Sequence, residues 1–356
     1  MPRLEFTATP VPVRTAQPFV IARGGSSEWP TVTVRVRDAL CGAEGWGEAA
    51  PSRFYGETTE SVLGALPRLA AALDGCDPWD LEGAEQRMAG ALRGNGSARS
   101  AVSAALHDLA AKRLGVPLYR VWGLDPARAP KSSFTVALAP NDEALAARVA
   151  EAAAYPILKV KLGSPDGPAR DAAIIRRVRA LAPGAVLRVD ANAAWSPKQA
   201  VRMTAVLDEV GVEFVEQPVV AGDVDGLAFV RRHGALPVVA DESCVTAADA
   251  ARLAAAGAVD GVNLKLSKCG GLREALAIVA VARAHGLLVM CGCMIETSLG
   301  ITAAAHLAPL LDAADLDGAA LLADDPYAGA TIDGGVVALP EGPGLGVTAR
   351  SAAPAA

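Results

Sequence analysis

From residue 132 onward, short apolar runs rich in β-formers alternate with alanine-rich runs of helical character, and the alternation repeats eight times. The strand candidates are "FTVAL", "ILKVKL", "VLRVD", "VEFVE", "PVVAD", "VNLKL", "LLVMCG" and "AADLD". Between them lie stretches such as "PARDAAIIRRVRAL", "SPKQAVRMTAVLDEV", "AADAARLAAAG" and "GLREALAIVAVARAHG", whose apolar residues recur at helical spacing. Parallel strands need crossover connections, and those crossovers are right-handed. Eight such units suggest an α/β fold of the (β/α)8 TIM-barrel type, with an open doubly wound sheet as the alternative.

The residues that end the strands favour the closed form. Lys161 ends the second strand, Asp190 the third, Glu216 the fourth, Asp241 the fifth and Lys265 the sixth, at intervals of 24 to 29 residues, and Asp315 and Asp317 fall at the eighth. In a barrel these ends converge on one mouth, the face where barrel enzymes carry out their chemistry. Three carboxylates on adjacent strands repel one another unless a cation sits between them. A hard divalent ion with oxygen ligands answers this, and Mg2+ suits a site that also binds substrate oxygens. The alternative, three separately paired carboxylates, would need three nearby cations, whereas the two best-placed lysines lie on the flanking strands. Lys161 and Lys265 then face each other across the cavity. One can remove a proton from the carbon beside a metal-held carboxylate, and the other can return it on the opposite side. Lys159 shares a strand face with Lys161, because side chains alternate along a strand. Two adjacent ammonium groups are expected to push a lysine pKa down toward neutrality.

The first part of the chain reads differently. "TVTVRVRD" and "GAEGWGEAAP" read as antiparallel strands with a Gly-rich turn, and "NGSARSAVSAALHDLAAKRLG" as a helix with a cap candidate at its start and a glycine stop. We expect an α+β capping domain over residues 1–125, the barrel over 126–320, and a segment over 321–356 that returns to the capping domain. The closing "SAAPAA" is expected to fray. With 52% hydrophobic residues a large core is available, and a net charge of −6 argues against a nucleic-acid partner. Apolar runs are broken well before the ~18 residues of a membrane span, and the opening residues carry no signal-like apolar stretch. Six scattered cysteines without a CxxC pair fit a reduced cytoplasm, and Cys291-Gly-Cys293 reads as pocket lining or core rather than a zinc site. The four histidines fall in helical runs and read as structural. A homo-oligomer is left open.

The motifs "LKVKLG", "LRVDAN", "VEQP", "ADES" and "NLKLSKCGG" resemble the muconate-lactonizing branch of the enolase superfamily over nearly the whole chain, where a lysine base works beside Mg2+. "GCMIETSLGITAAAHLAP", "ADLDG" and "FVIARGGSSEW" narrow the resemblance to dipeptide epimerases acting on L-Ala-D/L-Glu. The resemblance implies an acid/base pair at Lys161 and Lys265 and Mg2+ ligands at Asp190, Glu216 and Asp241. It implies that Asp315 and Asp317 hold the dipeptide's α-ammonium group and that Lys159 helps bind the substrate carboxylate. Thr135, Cys293 and Ile295 would line the pocket. Arg23 would sit on a Gly-rich lid loop and pair with an acidic side chain of the C-terminal residue. The expected function is epimerisation of a dipeptide by Cα proton transfer through a metal-stabilised enediolate. Two other outcomes use the same site, a cycloisomerase and a dehydratase like o-succinylbenzoate synthase. The dehydratase needs no ammonium site, which sets the acidic pair at 315 and 317 against it. A binding protein that had lost the chemistry would have no use for lysines on both sides.

Overall fold

The computed structural model describes residues 3–350, so the expected fraying of "SAAPAA" lies outside the described residues. Eight parallel strands follow one another around a single sheet in chain order. They are β1 (Phe134–Val136), β2 (Ile157–Lys161), β3 (Val186–Asp190), β4 (Val212–Glu216), β5 (Val238–Ala240), β6 (Gly261–Leu264), β7 (Leu288–Gly292) and β8 (Ala313–Asp315). The sheet closes through a parallel bridge between Ser132, just before β1, and Ala314 in β8. The apolar residues of the strands' outer faces, such as Leu158, Val160, Leu187 and Val189, pack with those of the crossover helices in one continuous core.

The inward faces are layered. Phe214, Val239, Met290 and Ala313 form a small separate apolar cluster. Each lies two residues before Glu216, Asp241, Gly292 or Asp315, so the period of two carries the chain from an apolar floor to a polar mouth on one face. Registers bring the mouth residues side by side: Lys161 pairs with Asp190, and Asp190 with Glu216.

The crossover helices start where the sequence carries start signals. Pro197 occupies the first turn of the helix Pro197–Glu209 behind a Ser196–Gln199 capping box, and a Thr246–Asp249 box opens Ala247–Ala255. The last unit departs from the pattern. After β8 only a 3-10 turn, Asp317–Leu321, forms, and the chain then runs into two short two-stranded sheets. The glycines and prolines of "GGVVALPEGPGLGV" favour turns over another helix. Among the described residues no helix is long and apolar enough to cross a membrane.

The N-terminal part holds an antiparallel sheet of Leu4–Val11, Thr31–Asp38 and Glu44–Ala49, and a separate hairpin of Arg14–Ile21 and Gly24–Glu28. The helix Gly96–Leu114 is buried along most of its length. Gly45 and Gly47 let the sheet approach it: a Cβ at either would come within 2.0 Å of the helix carbonyls of Ala105 and Ala101. The cap at this helix's start differs from expectation. Asn95 is left-handed and its side chain makes no cap bond; instead the buried carboxylate of Glu57 accepts from the amide and hydroxyl of Ser97. A residue distant in sequence does the capping, which local pattern cannot reveal.

Candidate active site at the barrel mouth

Asp190, Glu216 and Asp241 each offer a carboxylate oxygen, and the three oxygens lie within 4.8 Å of one another. All three residues are buried, Asp190 and Glu216 completely. Lys161 reaches the group from the Asp190 side, donating to Asp190 Oδ2 at 2.6 Å. Lys265 reaches it from the Asp241 side, donating to Asp241 Oδ2 at 2.8 Å. Asn263, two residues before Lys265 and on the same face, donates to Glu216 Oε1 at 2.6 Å. Glu216 Oε2 is buried without a hydrogen-bond partner, its nearest paired charge being Lys159 at 3.6 Å.

The electrostatics follow from burial and spacing. Burial and the charge of Asp190 push Glu216 up to about 8. Burial also acts against ionisation of Asp190 and Asp241, but Lys161 and Lys159 outweigh it at Asp190, and Lys265 and Lys268 outweigh it at Asp241, so both carboxyls are held low. This donor set fits a hard divalent cation. It offers three oxygens, no nitrogen or sulfur, and one buried oxygen that the protein itself does not satisfy.

The expected effect of neighbouring ammonium groups needs correction. Burial lowers Lys265, but Asp241, Glu216 and Glu242 together more than offset it, and its pKa is raised. Lys159 is likewise lowered by burial and raised further by Asp315, Glu216 and Asp190, ending well above the usual lysine value. Carboxylates, rather than other ammonium groups, are the closest charges to both.

At β8 the two aspartates part company. Asp315 ends the strand, whereas Asp317 opens the 3-10 turn that follows, so they do not share a strand face as the alternation implies. The turn still brings both to the same side of the mouth. Asp315 takes hydrogen bonds from Lys159 and from Ser133 Oγ (2.6 Å). Asp317 accepts from the Thr135 amide at 2.6 Å and its hydroxyl at 3.3 Å, and burial together with Asp315 raises it to about 7. Cys293 and Ile295 follow β7, Ile295 buried and Cys293 partly exposed.

Arg23 is not on a loose loop. It occupies the tight turn of the hairpin Arg14–Ile21/Gly24–Glu28, where Gly24 adopts φ +105°. Its guanidinium pairs with Glu242 Oε1 at 2.7 Å, donates to the Asn192 carbonyl at 2.9 Å and stacks 4.5 Å over Phe54. Leu138 N donates to Val20 O at 3.0 Å and Arg148 to Pro18 O at 3.2 Å, so the hairpin is tied to the barrel at more than one point.

The sequence reading missed Phe54 and Tyr55, carried by the 3-10 turn Arg53–Tyr55 of the N-terminal part. Burial and the Asp241 charge raise the Tyr55 phenol, which places it near the acidic group. A short aromatic turn has no periodicity that would reveal it. Glu242, the neighbour of Asp241 in the chain, is buried and takes Arg23 as its partner.

Two family models match the chain: "Mandelate racemase / muconate lactonizing enzyme, N-terminal domain" over residues 3–123 and "Enolase C-terminal domain-like" over residues 141–353. The hydrophobic dipeptide epimerase of Roseobacter litoralis is 43% identical over 319 residues, covering 86% of this chain and 88% of its own. The L-Ala-D/L-Glu epimerase from Bacillus subtilis, solved as a substrate-liganded complex, superposes with a TM-score of 0.93 at 34% identity, covering 99% of this chain and 100% of that one. The dipeptide epimerase from Enterococcus faecalis V583, complexed with Mg and the dipeptide L-Leu-L-Tyr, gives a TM-score of 0.90 at 32% identity, covering 98% and 99%.

Proposed function

The chain belongs to the mandelate racemase/muconate lactonizing enzyme family of the enolase superfamily, and from that premise we propose that it is a Mg2+-dependent dipeptide epimerase that inverts the Cα of the C-terminal residue, with L-Ala-D/L-Glu as the substrate type. The observation that carries the reading is the buried trio of carboxylates flanked by Lys161 on one side and Lys265 on the other.

In this reading Asp190, Glu216 and Asp241 hold the cation. When bound, a divalent ion there supplies Lewis-acid stabilisation of the negative charge that builds on the substrate carboxylate as the Cα proton leaves. The remaining work falls to the protein's own groups. One lysine, as the free amine, takes the Cα proton onto its Nζ. The other, as the ammonium, gives a proton to the opposite face, so the configuration inverts and the peptide is otherwise unchanged. Asp315 and Asp317 take the α-ammonium of the N-terminal residue, and Lys159 helps orient the substrate carboxylate. Thr135, Cys293 and Ile295 wall the pocket. Arg23 meets an acidic side chain at the C-terminal residue, and its hairpin covers the mouth. A cytoplasmic location belongs to the same reading, supported by six cysteines that form no disulfide.

Incubation with Mg2+ and L-Ala-L-Glu in D2O tests this. The expected result is one deuterium at the C-terminal residue's Cα together with formation of the L,D diastereomer. Turnover of a muconate or of a cyclohexadiene acid, without dipeptide exchange, would move the assignment to a cycloisomerase or dehydratase. A set of L-Ala-L-Xaa dipeptides ranks acidic against hydrophobic C-terminal residues.

A further inference from the structure

Lys268 lies three residues beyond Lys265, in the short helix Leu266–Cys269, and its side chain is wholly buried. Its ammonium has three donors, and three acceptors surround it: Asp241 Oδ1 at 2.6 Å, the Asp241 carbonyl at 2.5 Å and the Asn263 carbonyl at 2.6 Å. Nothing in the proton transfers above uses this lysine. Asp241 Oδ2 is the oxygen met by Lys265. Asn263, whose carbonyl Lys268 holds, is the residue whose side chain fixes Glu216 Oε1.

We propose that Lys268 is a positioning residue for the cation site: it occupies Asp241 Oδ1 and anchors the Asn263 backbone, so that Asp241 Oδ2 and Glu216 Oε2 are the oxygens presented to the centre. Two ligands from two strands are thereby oriented by one buried cation. The backbone of Lys268 is seated in turn by the N-terminal part of the chain. Gly96, at the start of the helix Gly96–Leu114, comes so close that a Cβ there would lie 2.6 Å from the Lys268 carbonyl. The capping region therefore bears on the ligand geometry through the Lys268 backbone.

Charge and orientation make opposite forecasts here. If Lys268 mattered only as a nearby positive charge, removing it would tighten cation binding. If it orients Asp241 and Asn263, removing it weakens binding even though the site becomes more negative, by the 10–100-fold typical of groups that orient metal ligands. This inference rests on Asp190, Glu216 and Asp241 being the cation ligands. The experiment is calorimetric titration of the metal-stripped, full-length protein with Mg2+ alone, without substrate, for the wild type, Lys268→Met and Lys268→Arg. Circular dichroism and thermal melting confirm that each variant is folded. Failure of the wild type to bind Mg2+ would remove the ligand assignment itself. With wild-type binding established, Lys268→Met is expected to lose about 10–100-fold in Mg2+ affinity. Lys268→Arg, which keeps the charge but not the compact three-way geometry, is expected to lose affinity to a smaller extent. Unchanged or tighter binding by Lys268→Met overturns the role. If that variant does not fold, wild-type affinity in Lys268→Arg overturns it equally.

Discussion

At the scale of single residues, the mouth is a set of lysine–carboxylate pairs rather than a row of mutually repelling ammonium groups. Lys161 faces Asp190, Lys265 faces Asp241, and Lys159 lies between Asp315 and Glu216. Which residue types belong to the mouth was legible in the strand-end spacing; which partner each would take was not, because partners come from neighbouring strands. Lys161→Ala and Lys265→Ala are each expected to lower epimerisation by about 10³-fold, measured as diastereomer interconversion. Wild-type rates in either variant would sink the two-base scheme. Arg23 has a comparable test. Arg23→Met should reduce kcat/KM for L-Ala-L-Glu by roughly 10²-fold, the range for truncating one partner of a buried charge pair, with a smaller effect on L-Ala-L-Leu. Equal losses on both dipeptides would show that Arg23 serves only to hold its hairpin against Glu242.

At the scale of elements, the site depends on contacts that tie the two parts of the chain together. Glu48, at the end of the strand Glu44–Ala49, caps the helix Ser298–Ala305 that follows β7. It accepts from the amides of Thr297 at 3.0 Å and Gly300 at 2.9 Å. The next buried carboxyl is Glu296, which accepts from Met294 N at 3.1 Å and Ser267 Oγ at 3.2 Å. Burial, then the proximity of Glu48, raises Glu296 to about 7. A carboxyl raised in the folded state keeps its proton where the unfolded chain has lost it. Its stabilising contribution is present below the unfolded value of ~4.5 and fades as pH rises to about 7. Glu296→Gln removes this titration. The Tm of the wild type, taken relative to that of Glu296→Gln, should therefore fall between pH 4.5 and 7.5, by an amount reflecting on the order of 3 kcal/mol. A difference that stays flat with pH would show that Glu296 is already ionised in the folded protein. None of this was visible beforehand, since "CMIETS" and "GWGEAA" look like ordinary strand ends until the fold stacks one on the other.

At the scale of the whole molecule, closure of the barrel gathers ionisable groups from six strands into one buried space, and such a cluster is costly without a cation to share its charge. Mg2+ that binds only the folded state should stabilise it: at about a hundred times its Kd the gain is roughly 2.7 kcal/mol, seen as a rise of several degrees in Tm. Glu216→Gln should abolish that rise, and its persistence would place the cation elsewhere. The sequence by itself determined the alternation of strands and helices, the inward phase of each strand and the charges at the strand ends, because hydrophobic period and residue spacing are local properties of the chain. Only the tertiary structure decided that Glu57 caps a helix, that Arg23 lies against Glu242, that Lys268 holds Asp241, and that Asp317 turns off its strand to meet Thr135. Those outcomes depend on which distant residues share a desolvated space, and a buried charge takes whatever partner closure brings within reach.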